Sequence, residues 1–315
     1  MAAKLLNSRL ATLVFLAIII GVIPYLAPSA FYLRVAAVVW VFALAALGLT
    51  VLMGYAGQVS LGHAGFLGIG GYAVAIGPAQ FGLHPALCLL IGAVIAGVLA
   101  FLVGRPILKL KGYYLAIATL GFGVILSLVF HSESQWTGGP DGMQVARVTL
   151  FGWRLSGSAN WYWVTGGALL IGAWLALNIG ASPTGRALKA LHDSEVAAAG
   201  SGIDVSAKKL AAFVIGAVYA AVAGGLLAAM NGLITPDAAG FMHSIELVAM
   251  VIIGGLGSVL GAVVGAAFLV VLPQALTFMH DYEQAVLGFL IMAFMIFLPA
   301  GIVPTVRKWL LERLS

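Results

Sequence analysis

Charge is what this sequence lacks most. Only 8% of its 315 residues are Asp, Glu, Lys or Arg, against about 25% in an ordinary soluble domain. Apolar residues make up 63% and the mean hydropathy is +1.12, which excludes a water-soluble globule. Cysteine occurs once, as Cys88 in an apolar run, so no internal disulfide forms and the residue reads as a small packing group. There is no H-E-x-x-H and no metal-spaced Cys/His cluster. No G-x-x-x-x-G-K-[ST] loop occurs, so the chain does not hold ATP in the P-loop manner. The stretch "GGLGSVLG" (254–261) has the wrong spacing for G-x-G-x-x-G, and no acidic ribose partner follows it. An intramembrane enzyme would also need a nucleophile–base or metal pattern, and none is written here.

What is present is a succession of apolar stretches of about 20 residues, the pattern of an all-α polytopic membrane protein. The expected spans are roughly 10–28, 35–53, a broken span at 54–79, 85–104, 113–130, one starting at 161–163, 210–230, a short apolar piece at 244–256, 258–278 and 284–303. Counting the broken pieces gives about ten crossings in a single transmembrane domain, 1–315. The run near 10–23 follows basic residues, as in a secretory signal. Pro24, Pro28 and further apolar segments come after it, so it reads as an uncleaved first span.

The net charge of +5 reports orientation rather than a nucleic-acid partner. One set of loops holds Lys4, Arg9, Arg105, Lys109, Lys111, Arg186, Lys189, Lys208, Lys209, Arg307, Lys308 and Arg313, and the other only Arg34, Arg147 and Arg154. That asymmetry places both termini in the cytoplasm, and an even number of crossings agrees.

Glycine interrupts the oil in two places. "GYAGQVSLGHAGFLGIGGY" (54–72) brings Gly57, Gly62 and Gly65 together with Gln58, Ser60 and His63. A break in a membrane helix survives only where it is buried in protein or lines a wet cavity. Gln58, Ser60 and His63 therefore either satisfy loosened backbone or face a substrate. "GGLGS" (254–258) supplies the second break with Gly255 and Gly257. Gly257, Gly261 and Gly265 recur every four residues and predict one small-residue packing face. Spans two to five and seven to ten start on opposite sides, so paired breaks suggest an inverted repeat with a transport path between its halves. Glu246, about two helical turns before the second break, is the acid expected on that path.

The polar segment 182–209 is too long and too helix-prone for a plain loop. Ser182 ahead of Pro183 starts a helix, Gly200 and Gly202 stop it, and Asp204 and Ser206 stand ready to cap the next. Its small residues Ala187, Ala190, Ala197 and Ala198 suit a partner's groove.

Four stretches resemble the LivM-type permeases of branched-chain amino-acid ABC importers: "GYAGQVSLGHAGFLGIGGY", "KGYYLAIATLGFG" with "TGGPDGM", "GRALKALHDSEVAAAGSGIDVSAKKLAAF" and "IELVAMVIIGGLGSVLGAVVGAAF". The resemblance implies a heterodimer with a LivH-type permease in a bacterial inner membrane. It also implies two cytoplasmic ATPases that bind ATP and Mg, and a periplasmic solute-binding protein. No cofactor belongs to this chain itself. Arg186, Glu195, Ala197, Ala198, Gly200 and Gly202 fall in the family's ATPase-coupling segment. Here "LPAGI" (298–302) replaces the more usual "RPQGL", a change expected to matter only for the last helix end. Related importers carry urea, amides or aromatic acids. An ion-coupled secondary transporter would place several ionisable groups mid-membrane, and a passive channel would leave 182–209 without a role.

Overall fold

The structure is a computed structural model describing residues 9–150, 153–275, 283–298 and 300–314. Lys4, Pro299 and the side chains of Arg154 and Arg313 lie outside the described residues. The first helices are α1 (Arg9–Leu26) and α2 (Ala30–Leu49), which widens into a π-helical turn over Thr50–Tyr55. After an irregular stretch come α3 (His63–Phe81), α4 (Pro85–Ile107), α5 (Tyr113–Ser132) and the single turn α6 (Ser134–Thr137). Three two-residue strands follow: β1 (Met143–Gln144), β2 (Thr149–Leu150) and β3 (Trp153–Arg154). The chain continues through α7 (Ser158–Ala181), α8 (Pro183–Asp193), α9 (Glu195–Gly200) and α10 (Val205–Asn231). The last elements are β4 (Leu233–Ile234), α11 (Phe241–Gly254), α12 (Val259–Ala275), α13 (Glu283–Phe297) and α14 (Ile302–Leu314).

Among the described residues six helices are long and apolar enough to cross a bilayer: α1, α2 with its π turn, α4, α5, α7 and α10. Helices satisfy their own backbone, and in hydrocarbon that requirement outweighs the weak helix propensity of so many Gly, Val and Ile residues. Burial separates centre from rim. In the most apolar window of α2, 83% of residues are buried, against 61% in α10 and 11% in α1. The two central helices run antiparallel and cross where Gly48 meets Gly216; a Cβ on Gly48 would stand 2.9 Å from the Gly216 carbonyl oxygen. Around this pair, α7 and α12 pack on α2, while α3 and α4 pack on α10. Buried tyrosines tie the layers together, Tyr219 of α10 donating to the Gly172 carbonyl of α7 and Tyr162 of α7 to the Ile20 carbonyl of α1, each at 2.7 Å.

α2 and α10 are the first elements of the two units expected from the sequence, and both are central. The breaks, however, are not equivalent. The first lies between α2 and α3, directly after a unit's first helix. "GGLGS" lies between α11 and α12, after a second helix. By element order, the stretch that follows the first helix of the second expected unit is 232–240, between α10 and α11. That stretch runs down beside α3, with Ile234 against Gly71 and Ala239 against Gly68. Pairing of β1 with β4 (Met143↔Ile234, Gln144↔Leu233) ties it to the loop after α5. The turn within 232–240, over Pro236–Ala239, is built on Thr235, Pro236 and Asp237 rather than on a glycine run.

Candidate translocation site

The first break is built from backbone that other helices complete. Gly57, at φ +67°, ends the π turn in the left-handed region. Its N–H donates to Met53 (3.1 Å) and that of Gln58 to Leu52 (3.1 Å), closing the helix end as a glycine C-cap does. The chain then rises into the bundle. Leu61 N–H donates to Thr119 Oγ1 of α5 at 3.1 Å, while that hydroxyl donates to Ala116 O at 2.9 Å. Gly62 lies so close to the Thr119 carbonyl that no side chain fits. α3 therefore begins inside the protein: His63 sits beside Gly216 and Phe213, level with Gly48 and about 10 Å along α2 from Tyr55. A helix N-terminus exposes N–H groups that hydrocarbon cannot satisfy. Here Ser244 of α11 accepts from Ala64 N–H (3.1 Å), and Gly62 O accepts from Gly65 N–H (3.1 Å).

Of the residues singled out in the sequence, Ser60 and His63 are joined by a 2.8 Å hydrogen bond to His63 Nδ1. The His63 ring stands edge-on to Phe66 and Phe213. Gln58, Ser60 and His63 are all buried. Both amide atoms of Gln58, and His63 Nε2, have no hydrogen-bond partner among the described residues. Buried polar groups are ordinarily satisfied, so these three atoms are the break's unspent polar capacity.

The second break meets the first. A Cβ on Gly54 would fall on the Gly257 backbone, so the end of α2 and the turn before α12 touch main chain to main chain. Gly255 and Gly257 take φ +117° and +77°, which l-residues rarely adopt. Ser258 Oγ then accepts from Gly261 N–H (3.0 Å) to start α12. The predicted stripe is shorter than its period suggested. Gly261 and Gly265 pack on α11 carbonyls, at Gly254 and Met250, but Gly257 belongs to the turn and faces Gly54. Gly301 and Pro304, at the start of α14, pack closely on Gly255 of this turn.

Glu246 is not at either break. Its Oε2 lies 2.7 Å from His243 Nδ1, and each side chain is about a third exposed. Ser244, about 200° round α11 from Glu246, is the residue turned to α3. Ser244 and Thr119 are thus the supports that sequence reasoning missed; each is a hydroxyl inside an apolar run, a faint but readable signal.

At the basic end, Ser182 caps α8 (Gly185 N–H, 3.1 Å), Ser194 caps α9 (Ala197 N–H, 3.3 Å) and Asp204 caps α10 (Ala207 N–H, 3.0 Å). Ser206 takes no cap. Gly202, at φ +79°, makes the turn into α10. Ala198 is buried in its own chain, so it is not part of an outward small face. Glu195 is paired with the buried Lys209 of α10. Arg186 is exposed, its Nη1 donating to Ala181 O at 3.2 Å, and Ala197 and Gly200 are exposed beside Val196, an apolar side chain 83% open. The segment also touches the first break: a Cβ on Gly57 would stand 2.9 Å from His192 Nδ1, and Lys189 Nζ lies 5.2 Å from the centre of the Tyr55 ring.

The family described as "Branched-chain amino acid transport system / permease component" matches residues 31–297. The chain is 32% identical over 300 residues to the high-affinity branched-chain amino acid transport system permease protein LivM of Escherichia coli (strain K12), covering 88% of this chain and 71% of that protein. It shows the same identity and coverage with LivM of Salmonella typhimurium. A probable branched-chain amino acid transport permease protein LivH of Methanocaldococcus jannaschii is 29% identical over 226 residues, covering 68% of this chain and 70% of that protein. No solved structure matches.

Proposed function

Since this chain belongs to the family of branched-chain amino acid transport permease components, we propose that it is one membrane subunit of an ATP-driven importer. The observation that carries the reading is the direct packing of α8, the first helix of the basic-end pair, on the interrupted span, at His192–Gly57 and Lys189–Tyr55. An element that can be pushed from one side of the membrane touches the stretch next to Gly54, where the two breaks meet. Partner ATPases, two in number, would bind ATP and Mg and press on α9 from the cytoplasm. The basic end is the cytoplasmic one in this reading, both termini lie there, and the chain makes ten crossings of a bacterial inner membrane. Similarity to both LivM and LivH supports a second permease of the same family as partner, with a periplasmic protein delivering solute. The four shorter helices α3, α11, α12 and α13 complete the ten crossings.

The cargo in this reading is a branched-chain amino acid, as the relatives' names say of them. Gln58 and His63 supply unspent polar atoms along the first break, and their unmet amide and ring nitrogen are what a solute shedding water would use. Glu246 and His243 form a polar patch on the outer face of α11, suited to a second permease rather than to lipid. An ion-coupled transporter is disfavoured because the chain's one candidate acid is paired with histidine away from both breaks.

Uptake of labelled leucine by vesicles containing this chain with its ATPases, second permease and binding protein tests the reading. Val196→Glu puts a charge on the exposed apolar residue of α9. It is expected to lower ATP-dependent uptake tenfold or more while the complex assembles in normal amounts. Uptake unchanged in Val196→Glu, or uptake independent of ATP, would reject the coupling role. Uptake of urea in place of leucine would reject the cargo alone.

A further inference from the structure

A cavity of about 530 Å³ opens at the end of the bundle where α2 and α7 begin and α10 ends. Its polar lining is Arg34, Arg147, Ser156, Ser158 and Asn231, and Trp161 forms part of its apolar wall. No acidic residue lines it, and among the described residues neither arginine pairs with a carboxylate. This end of the chain is otherwise poor in cations, so two arginines converging on one cavity is a local concentration of positive charge. The helix ends reinforce it. α7 is 24 residues long and its N-cap is Gly157, which offers no side-chain acceptor to the first N–H groups. The positive ends of α2 and α7 both point to this side.

We propose that this cavity binds one anionic group carried on an apolar body, between Arg34 and Arg147 and above the start of α7. Guanidiniums and free helix N–H groups suit a carboxylate or a phosphate, and Trp161 with Ala37, Val145 and Val148 suits the apolar remainder. Two sources present that chemistry at a membrane surface: an apolar amino acid through its carboxylate, and an anionic phospholipid through its headgroup phosphate. The amino-acid source rests on the importer role proposed above; the lipid source does not. A neutral solute such as urea would leave both charges unmet, so the cavity itself favours acids among the family's cargoes.

The test uses the assembled complex in nanodiscs of phosphatidylcholine. Leucine and leucinamide, which lacks the carboxylate, are titrated by calorimetry, and retained phosphatidylglycerol is compared with phosphatidylcholine by native mass spectrometry. Binding of leucine but not leucinamide identifies the solute source, and selective retention of phosphatidylglycerol the lipid source. In either case the R34Q/R147Q double variant should weaken binding tenfold or more, and raised salt should weaken it in the wild type. R34K/R147K should recover part of it, and R105Q, far from the cavity, none of the loss. Arg147 lies on the loop rather than in a span, so R147Q alone keeps the test valid if the double variant folds poorly. Equal binding by wild type and variants, or no binding of either probe by the wild type, overturns the proposal. Normal leucine uptake alongside that failure would leave the importer reading intact.

Discussion

Valine at Gly54 or Gly62 is expected to prevent the protein from accumulating in the membrane as a monodisperse species, whereas valine at Gly121 or Gly200 should leave its amount unchanged. All four glycines lie in or beside helices, so composition does not tell them apart. Their surroundings do. A Cβ at Gly54 falls on the Gly257 main chain and one at Gly62 on the Thr119 carbonyl, while at Gly121 and Gly200 nothing lies within 4 Å. Overpacking against side chains costs about 1–3 kcal/mol because rotamers move aside. Backbone cannot do so without separating α2 from the turn before α12, or α5 from the start of α3. Size-exclusion profiles of the four variants, expressed side by side with a fluorescent tag, check this. Normal profiles for Gly54→Val and Gly62→Val would show that the main-chain contacts at the breaks are dispensable.

The second large effect concerns Glu195. Lys209 is buried near the start of α10, and Glu195 is its ion-pair partner. Glu195→Ala leaves an ammonium buried without its counter-charge, an outcome that costs about 3–5 kcal/mol for a fully buried pair. Because Glu195 is itself a third exposed, water screens part of this and the expected loss is nearer 1–3 kcal/mol. Released α9 should be cut by protease at least several-fold faster than in the wild type. Glu195→Ala with Lys209→Met removes both charges and should restore most of the protection. If the single and double variants are cut at the same rate, the pair does not hold α9 in place.

Local signals in the sequence proved legible, and distant ones did not. Ser182, Gly202 and Asp204 act at their own chain positions, so spacing alone placed the start of α8, the turn and the cap of α10. The helical membrane class was equally plain, because apolar length has few other solutions. The role of Ser244 is not legible in the sequence because what it satisfies, Ala64 N–H, lies 180 residues earlier. Glu246 gives the stronger sequence signal, since a carboxylate in an apolar run is costlier than a hydroxyl. Yet Glu246 is met within its own helix by His243, and it is the serine that holds a helix end. Ala198 and Val196 show the same limit. Alanine periodicity suggested a groove-fitting face, but Ala198 is buried in its own chain, and the large apolar side chain left facing outward beside Ala197 is Val196. Gly257 fitted a period of four, but a positive φ takes it out of the helix. Helix α14 went unseen as a separate element, although Pro304 on its first turn packs the second break.

The central claim is that movement of the α8–α9 pair is transmitted to the first break. It is tested most directly by thiol accessibility at position 58. In a Cys88→Ser background, Gln58→Cys within the assembled transporter is treated with a membrane-impermeant maleimide, first without nucleotide and then with ATP and vanadate. The account predicts that the buried position reacts in one nucleotide state and is protected in the other. It also predicts that Val196→Glu abolishes the difference. The same labelling in both states would contradict it.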